Sequence, residues 1–572
     1  VSQIQAIRRR PWVDDGHLSH PIPLIRQLYA RRGVSSEDES LTLQRLIPPQ
    51  SMLGLDKAAR RMADALQAGE SILVVGDFDA DGATSTAICL LGLQRMGATK
   101  VDFLIPNRFD YGYGLSPPLV QLAASRGAQV LLTVDNGISS IDGVTLANEL
   151  GLDVVVTDHH LPGEHLPEAH AIVNPNQPGC QFASKALAGC GVAFYLMSAI
   201  RAELKGRGWF DTRPVPNLGE LLDIVALGTV ADLVPLDGNN RILVQAGLKR
   251  VRSGQTRPGI QALLEIGKRR LPRVVASDFA FAVAPRLNAA GRLDDMALGV
   301  ELLLCDDPNQ AQRMAQQLDL LNQERRELEA EMQQDALAHL QAIEFGGELP
   351  WGFALFDDNW HQGVIGILAS RLKERYHRPV IAFADGGDGQ IKGSARSIPG
   401  LHMRDLLERI NALHPGMLIK FGGHAMAAGL TIKRSDFEAF EQAYQDNIKA
   451  SIDASVLEGE LLSDGELSAA ELNLDNAQAL RDAGPWGQGF DEPLFDGEFF
   501  ITQQRIVGEK HLKLQLLTQC GSQELDAICF NVDLERWPDA NVSKVQLAYK
   551  LDVNEFRGHQ NVQLLVQQIQ AC

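Results

Sequence analysis

Cysteine is scarce and unpatterned in this 572-residue chain: seven are scattered (Cys89, Cys180, Cys190, Cys305, Cys520, Cys529 and Cys572), and no two fall in a Cys-x-x-Cys spacing. That argues against a zinc knuckle and against a disulfide framework, and points to a reducing compartment. Long apolar runs are lacking too. The longest, residues 186–200, contains two glycines and a serine and is too short to span a bilayer. Arg8, Arg9 and Arg10 lead into Pro11 and Trp12 instead of an apolar stretch, so no secretory leader is visible. The expectation is a cytoplasmic protein with no membrane segment. Positive charge is in deficit, with 53 Lys and Arg against 72 Asp and Glu, a formal net charge of −19. For a polyanionic ligand only the local field matters, and basic residues cluster at 8–10, 31–32, 249–252 and 268–273. A metal site that uses several carboxylates also raises the acidic count. Charge therefore excludes little.

Glycine and proline are absent between Pro308 and Gly346, and Met314, Leu318, Leu321, Leu328 and Met332 recur at steps of three, four or seven. This predicts one amphipathic helix, roughly 50 Å long. It would serve as a strut between domains; a coiled-coil dimer seam is the alternative. On either side the rhythm differs. Residues 1–50 are proline-containing and read as a lead-in with a short helix or two. Short apolar runs at 72–75, 101–105, 130–134 and 154–156 alternate with helix-like segments, which implies a parallel sheet covered on both faces. A second α/β region follows from Trp351, and period-two alternation after Pro493 suggests a small β-barrel. The resulting division is 1–50 lead-in, 51–245 first α/β domain, 246–348 helical connector, 349–452 second α/β domain and 453–572 barrel.

The strongest chemical signal is Gly76-Asp77-Phe78-Asp79-Ala80-Asp81-Gly82, directly after the first apolar run. Carboxylates at alternate positions repel one another unless cations offset them. An EF-hand is excluded, because Ile88 stands where its last glutamate is needed and a strand precedes the loop. An aspartyl-nucleophile phosphatase and a two-metal phosphoesterase remain. Two further strands end in Asp135-Asn136-Gly137 and Asp158-His159-His160. The carboxyl ends of parallel strands converge on one edge, where ligands bind, so these residues would gather in one crevice. One more carboxylate interrupts the apolar segment 227–236 at Asp232, with Asp223 as its rival. Residues alone weight the two about equally.

In family order, Asp77-Phe78-Asp79-Ala80-Asp81-Gly82, Asp135-Asn136-Gly137, Asp158-His159-His160 and Gly228-Thr229-Val230-Ala231-Asp232 resemble the four motifs of DHH phosphoesterases. The segments 361–367 (His-Gln-Gly-Val-Ile-Gly-Ile) and 422–429 (Gly-Gly-His-Ala-Met-Ala-Ala-Gly) resemble the associated DHHA1 domain. Those at 285–292 and 392–397 are similar to motifs of the RecJ single-strand-specific exonucleases within that family, and the C-terminal β region fits their OB-fold domain by position. The resemblance implies a DHH parallel-sheet domain and a DHHA1 α/β domain joined by a long helix, plus an OB-like barrel. It implies hydrolysis of single-stranded DNA from the 5′ end to 5′-mononucleotides in repair and recombination. A single-strand DNA-binding protein and a repair helicase would be partners of a monomeric enzyme. A DHH phosphodiesterase for short RNA or cyclic dinucleotides, and a non-catalytic replication scaffold, are the alternatives.

Residue by residue, the resemblance implies Asp79 and Asp81 as ligands of different ions, Asp135 as the bridge, and His159 with Asp232 completing the second site. Two divalent ions, Mn²⁺ or Mg²⁺, would offset charge in the transition state. Asp77 is a ligand or lies behind one, His160 would contact the scissile phosphate, and Asp158 belongs to the same catalytic group. Ser394 and Arg396 suit a terminal phosphate. Gly422 and Gly423 allow close backbone approach to phosphate beside His424. Arg108, Tyr113, Arg286 and Asn288 would line the path of the strand, Tyr113 by stacking.

Overall fold

The structure, a computed structural model, describes residues 5–107, 114–344, 349–534, 536–556 and 558–572. After an N-terminal strand β1 (Ala6–Arg9), five strands build the first sheet: β2 (Ile72–Val75), β3 (Val101–Leu104), β4 (Val130–Val134), β5 (Asp153–Thr157) and β6 (Ala171–Val173). Their order is β3-β2-β4-β5-β6 and every pairing is parallel. Alternate residues serve opposite faces. Val74, Leu132 and Val155 join the main core, whereas Val75, Leu131 and Val154 join a second core on the other side. Both faces are covered, which is why these strands read as continuous apolar runs.

A second five-stranded sheet has the order β10-β11-β9-β8-β7, from β7 (Phe353–Phe356), β8 (Val380–Gly387), β9 (Gln390–Arg396), β10 (Leu418–Gly423) and β11 (Ala427–Lys433). The expected strut lies between the two sheets. It is a helix of 37 residues, Pro308–Glu344. Ala311, Met314 and Leu318 pack into the core of the first domain, and Met332, Ala336 and Leu340 into that of the second. Its apolar stripe is thus taken up within the chain, at both ends.

Beyond β12 (Glu460–Ser463), strands β13 (Phe495–Val507), β14 (His511–Thr518), β15 (Glu524–Cys529), β16 (Lys544–Phe556) and β17 (His559–Ala571) close into a barrel of order β13-β14-β15-β17-β16. Leu512, Leu514 and Leu516 fill it from alternate positions of β14. Of the aromatics near it, Phe490 and Trp537 are buried, Trp486 stacks on Phe490 at 5.1 Å, and Phe530 is exposed. The barrel is not an independent appendage, because its core is continuous with that of the first domain.

The lead-in is more structured than its prolines suggest. β1 pairs in parallel with β12, Arg9 holds Asp496 at 2.7 Å, and Arg32 forks onto Asp464 at 2.8 and 3.0 Å. The basic clusters at 8–10 and 31–32 therefore fasten the barrel to the body of the protein. Among the described residues no helix is long and apolar enough to cross a membrane.

Candidate active site

The loop after β2 bends straight into helix α1 (Ala80–Arg95). Asp79 caps that helix, its Oδ1 accepting from the amides of Asp81 and Gly82 at 2.9 and 3.0 Å. At the end of β4 the backbone of Asp135 is left-handed, with φ of 60°. Such a conformation costs a non-glycine residue roughly 1–2 kcal/mol. Asn136 holds it: its Nδ2 donates to the carbonyls of Val75 at 3.1 Å and Val134 at 2.9 Å, stitching the ends of β2 and β4 together. Asp158, after β5, is fully buried. Its carboxylate accepts from the amides of Ile138, His159 and His160 and from His160 Nδ1, at 2.7 to 3.1 Å. It is a brace beneath the two histidines, fully occupied by donors.

The sheet edge gathers the remaining groups as the sequence predicts. Asp77, Asp79 and Asp135 form one group within 4.8 Å, and Asp81, His159 and Asp232 form another. His159 Nε2 links them, lying 3.1 Å from Asp135 Oδ1, 3.4 Å from Asp232 Oδ2 and 3.9 Å from Asp81 Oδ2. Asp77 Oδ1, His159 Nε2 and Asp232 Oδ2 are buried without a hydrogen bond. Orphaned acceptors converging in this way are costly unless a cation sits among them. Burial and neighbouring carboxylates push the carboxyls of Asp77, Asp135 and Asp232 well above their ordinary range, and that of Asp81 up to about 6. His159 is pushed down to about 4 by burial and by His160, which leaves a neutral imidazole suited to ligation. The residues present fit divalent cations. His160 differs: burial opposes its charge, but the hydrogen bond and charge of Asp158 raise it to about 9. Asp158 therefore favours its imidazolium form.

Asp232, just after helix Leu222–Ala231, joins Asp81 and His159, which distinguishes it from Asp223. Asp223 accepts from Thr256 Oγ1 at 2.9 Å and the Arg257 amide at 2.8 Å and lies in neither group.

The second domain supplies the facing wall. His424 is close enough for its charge and that of His160 to disfavour each other. Gly423, with φ of 147°, leaves room for the Ala427 carbonyl, and Gly422 has open space where a Cβ would stand. Ser394 Oγ accepts from Arg396 Nη1 at 3.1 Å, and both approach Gly366, at the start of helix Ile365–Tyr376. Among the described residues Arg396 has no ion-pair partner. Two residues expected on the strand path also make hydrogen bonds within the chain. Arg286, buried, donates to Asp319 on the long helix at 2.8 Å and to the Ala282 carbonyl, and so braces these helices. Asn288 Oδ1 accepts from the Ala80 amide at 2.8 Å and holds the carboxylate loop. Arg108 and Tyr113 lie outside the described residues.

Sequence reasoning missed Asn174 and Asn176, whose side chains donate to the carbonyls of His160 and His159 at 2.9 and 2.6 Å. The signal was Asn174-Pro175-Asn176 directly after an apolar run. It missed Gly189 and Cys190 as well, whose amides reach Asp81.

Comparison with known proteins places these motifs. Residues 71–229 match the DHH family N-terminal domain, 350–450 the DHHA1 domain and 463–568 the RecJ OB domain. The single-stranded-DNA-specific exonuclease RecJ of Salmonella typhimurium is 55% identical over 100% of both chains. This chain belongs to the RecJ family. RecJ of Escherichia coli is likewise 55% identical, over 99% of each chain. The crystal structure of RecJ from Thermus thermophilus in complex with Mn²⁺ superimposes with a TM-score of 0.79 at 30% identity, covering 96% of this chain and 76% of that one. The RecJ architecture of DHH sheet, DHHA1 domain and OB barrel is therefore that of this chain.

Proposed function

We infer that this chain is a metal-dependent exonuclease of single-stranded DNA, and that it works from the 5′ end and releases 5′-mononucleotides in repair and recombination. The observation that carries the reading is the pair of carboxylate groups meeting at His159 and Asp135, with His424 of the second domain near enough for its charge to interact with that of His160. Asp77, Asp79 and Asp135 would hold one divalent ion, and Asp81, His159 and Asp232 the other, with Asp135 shared; Mn²⁺ or Mg²⁺ suits these donors. Bound, such ions lower the pKa of water and offset negative charge in phosphoryl transfer. The chain's own part is positional. His160, held by Asp158, would pair with the scissile phosphate. Ser394 and Arg396, on β9 at a helix N-terminus, take the 5′ phosphate. His424, with the open backbone at Gly422 and Gly423, holds the adjoining phosphate.

A single-strand DNA-binding protein and a repair helicase are the partners we propose for a monomeric enzyme. The test is digestion of 5′- and 3′-labelled single strands, duplexes and short RNAs with Mn²⁺ or Mg²⁺. Mononucleotides released only from the 5′ end of single strands support the reading. Preference for short RNA, or metal binding without cleavage, would replace it with a different phosphodiesterase or with a scaffold.

A further inference from the structure

We propose that the first turn of the helix Gly189–Gly206 is a positioning element of the metal centre, with Gly189 as the residue that permits it. Two observations meet here. The amide of Gly189 donates to Asp81 Oδ2 at 2.7 Å and that of Cys190 to Asp81 Oδ1 at 2.9 Å, one main-chain donor for each carboxylate oxygen. Separately, a Cβ at Gly189 would stand 2.7 Å from Asp135 Oδ1 and 2.9 Å from Asp81 Oδ2. The backbone of Gly189 is ordinary helix, so no left-handed conformation asks for glycine there. Within a helix glycine is in fact less favourable than alanine. What requires glycine is the space beside two carboxylates.

The arrangement does two things for Asp81. Paired amides fix the plane of its carboxylate, which leaves one lone pair of each oxygen for other uses and aims Oδ2 toward His159 Nε2, 3.9 Å away. The N-terminal end of an 18-residue helix also carries partial positive charge, which favours the ionised form of an aspartate that burial and Asp79 disfavour. Gly228 completes the fit from the opposite side: a Cβ there would lie 3.0 Å from Asp81 Oδ1 and 2.7 Å from Cys190 Sγ. Asp81 is therefore flanked by glycines from two helices, with the Cys190 side chain as a further partner beside the two amides. Asp232 Oδ2 and His159 Nε2, in the same group, take no such hydrogen bonds. Asp81 is the fixed member around which they close.

The experiment compares Gly189→Ala with Gly191→Ala in the full-length protein. The atoms nearest a Cβ at position 191 belong to the Leu187 side chain, the closest at 2.5 Å, so that variant crowds the same helix turn against an apolar neighbour and controls for strain in the helix itself. Mn²⁺ affinity and stoichiometry are measured by titration calorimetry and by the signal of free Mn²⁺ in electron paramagnetic resonance, and melting temperature is measured in EDTA. Gly189→Ala is expected to melt near wild type in EDTA yet bind Mn²⁺ at least tenfold more weakly; Gly191→Ala is expected to keep wild-type affinity. Wild-type binding by Gly189→Ala would overturn the proposal. Should Gly189→Ala fail to fold, a second pair decides. Asp232→Asn and Asp81→Asn both relieve charge repulsion, but only the latter sets an amide NH₂ against a main-chain donor. Asp81→Asn should raise the EDTA melting temperature less than Asp232→Asn, and an equal or larger rise would overturn the proposal. The proposal rests on the two-ion reading. A wild-type protein that binds no Mn²⁺ sinks that reading, whereas equal binding by wild type and Gly189→Ala sinks only this one.

Discussion

The side-chain oxygen of Asn288 accepts a hydrogen bond from the Ala80 amide at 2.8 Å, so a helix of the connector, Ala284–Leu293, holds the loop that carries Asp77, Asp79 and Asp81. Four residues further along that helix, Arg292 Nη1 donates to the Gly363 carbonyl of the second domain at 2.8 Å. Between the two contacts, Gly291 lets the helix touch the Phe78 carbonyl, where any Cβ would collide. One short helix thus touches both the carboxylate loop and the second domain.

Asn288→Ala should accordingly act on the metal and not on DNA affinity. A buried hydrogen bond contributes ~0.5–1.5 kcal/mol net, which corresponds to a loss of roughly two- to tenfold in Mn²⁺ affinity. Single-strand binding in EDTA should remain near wild type. A variant that binds Mn²⁺ normally but DNA poorly would return Asn288 to the strand path that the sequence suggested.

Asp135→Ala removes the carboxylate of the first ligand group that lies 3.1 Å from His159 of the second. Hydrolysis should be abolished and the Mn²⁺ stoichiometry should fall, while single-strand binding in EDTA persists. Activity within tenfold of wild type would take Asp135 out of the centre.

Arg396→Ala tests the terminal-phosphate reading. Charge-assisted contacts contribute ~1.5–3 kcal/mol, so use of 5′-phosphorylated strands should drop by about ten- to a hundredfold, and use of 5′-hydroxyl strands much less. Equal losses on both substrates would make the Ser394–Arg396 pair structural.

Stability of the metal-free protein should depend on pH with a definite sign. Burial and Asp79 raise the Asp81 carboxyl to about 6, above its unfolded value, and Asp77, Asp135 and Asp232 are raised as well. A carboxyl raised on folding stabilises the fold at low pH, and that contribution is lost as pH rises through the folded value. Cations that need the ionised carboxylates offset the loss. The rise in melting temperature caused by Mn²⁺ should therefore grow from about pH 5 to pH 7. Thermal melts across that range in EDTA and in Mn²⁺ check it, and a flat increment would contradict it.

The parts of this structure legible in the sequence are those written in local pattern. Apolar runs ending in Asp77, Asp135 and Asp158 place carboxylates at one sheet edge, because parallel strands leave no other arrangement. A stretch without glycine or proline gives the long helix. What stayed hidden depends on partners distant in sequence. Asp223 and Asp232 look alike until Thr256 and Arg257 are seen to occupy the first. The ion pair of Arg286 with Asp319 is likewise not written in local sequence. Gly189 reads as part of an apolar helix, since nothing local announces that Asp81 and Asp135, more than fifty residues earlier, lie against it.

The pairing of β1 with β12 has a consequence for how the chain comes to be folded. Ala6 finds its partner at Glu460, about 450 residues later. At ~5–20 residues per second of synthesis, the first strand emerges roughly half a minute to a minute and a half before the strand it pairs with exists. During that interval the sheet and its carboxylate edge can form, but the N-terminal arm has nothing to close on. Closure of β1 onto β12 thus waits for the later strand, and β1 finds its place long after it is made.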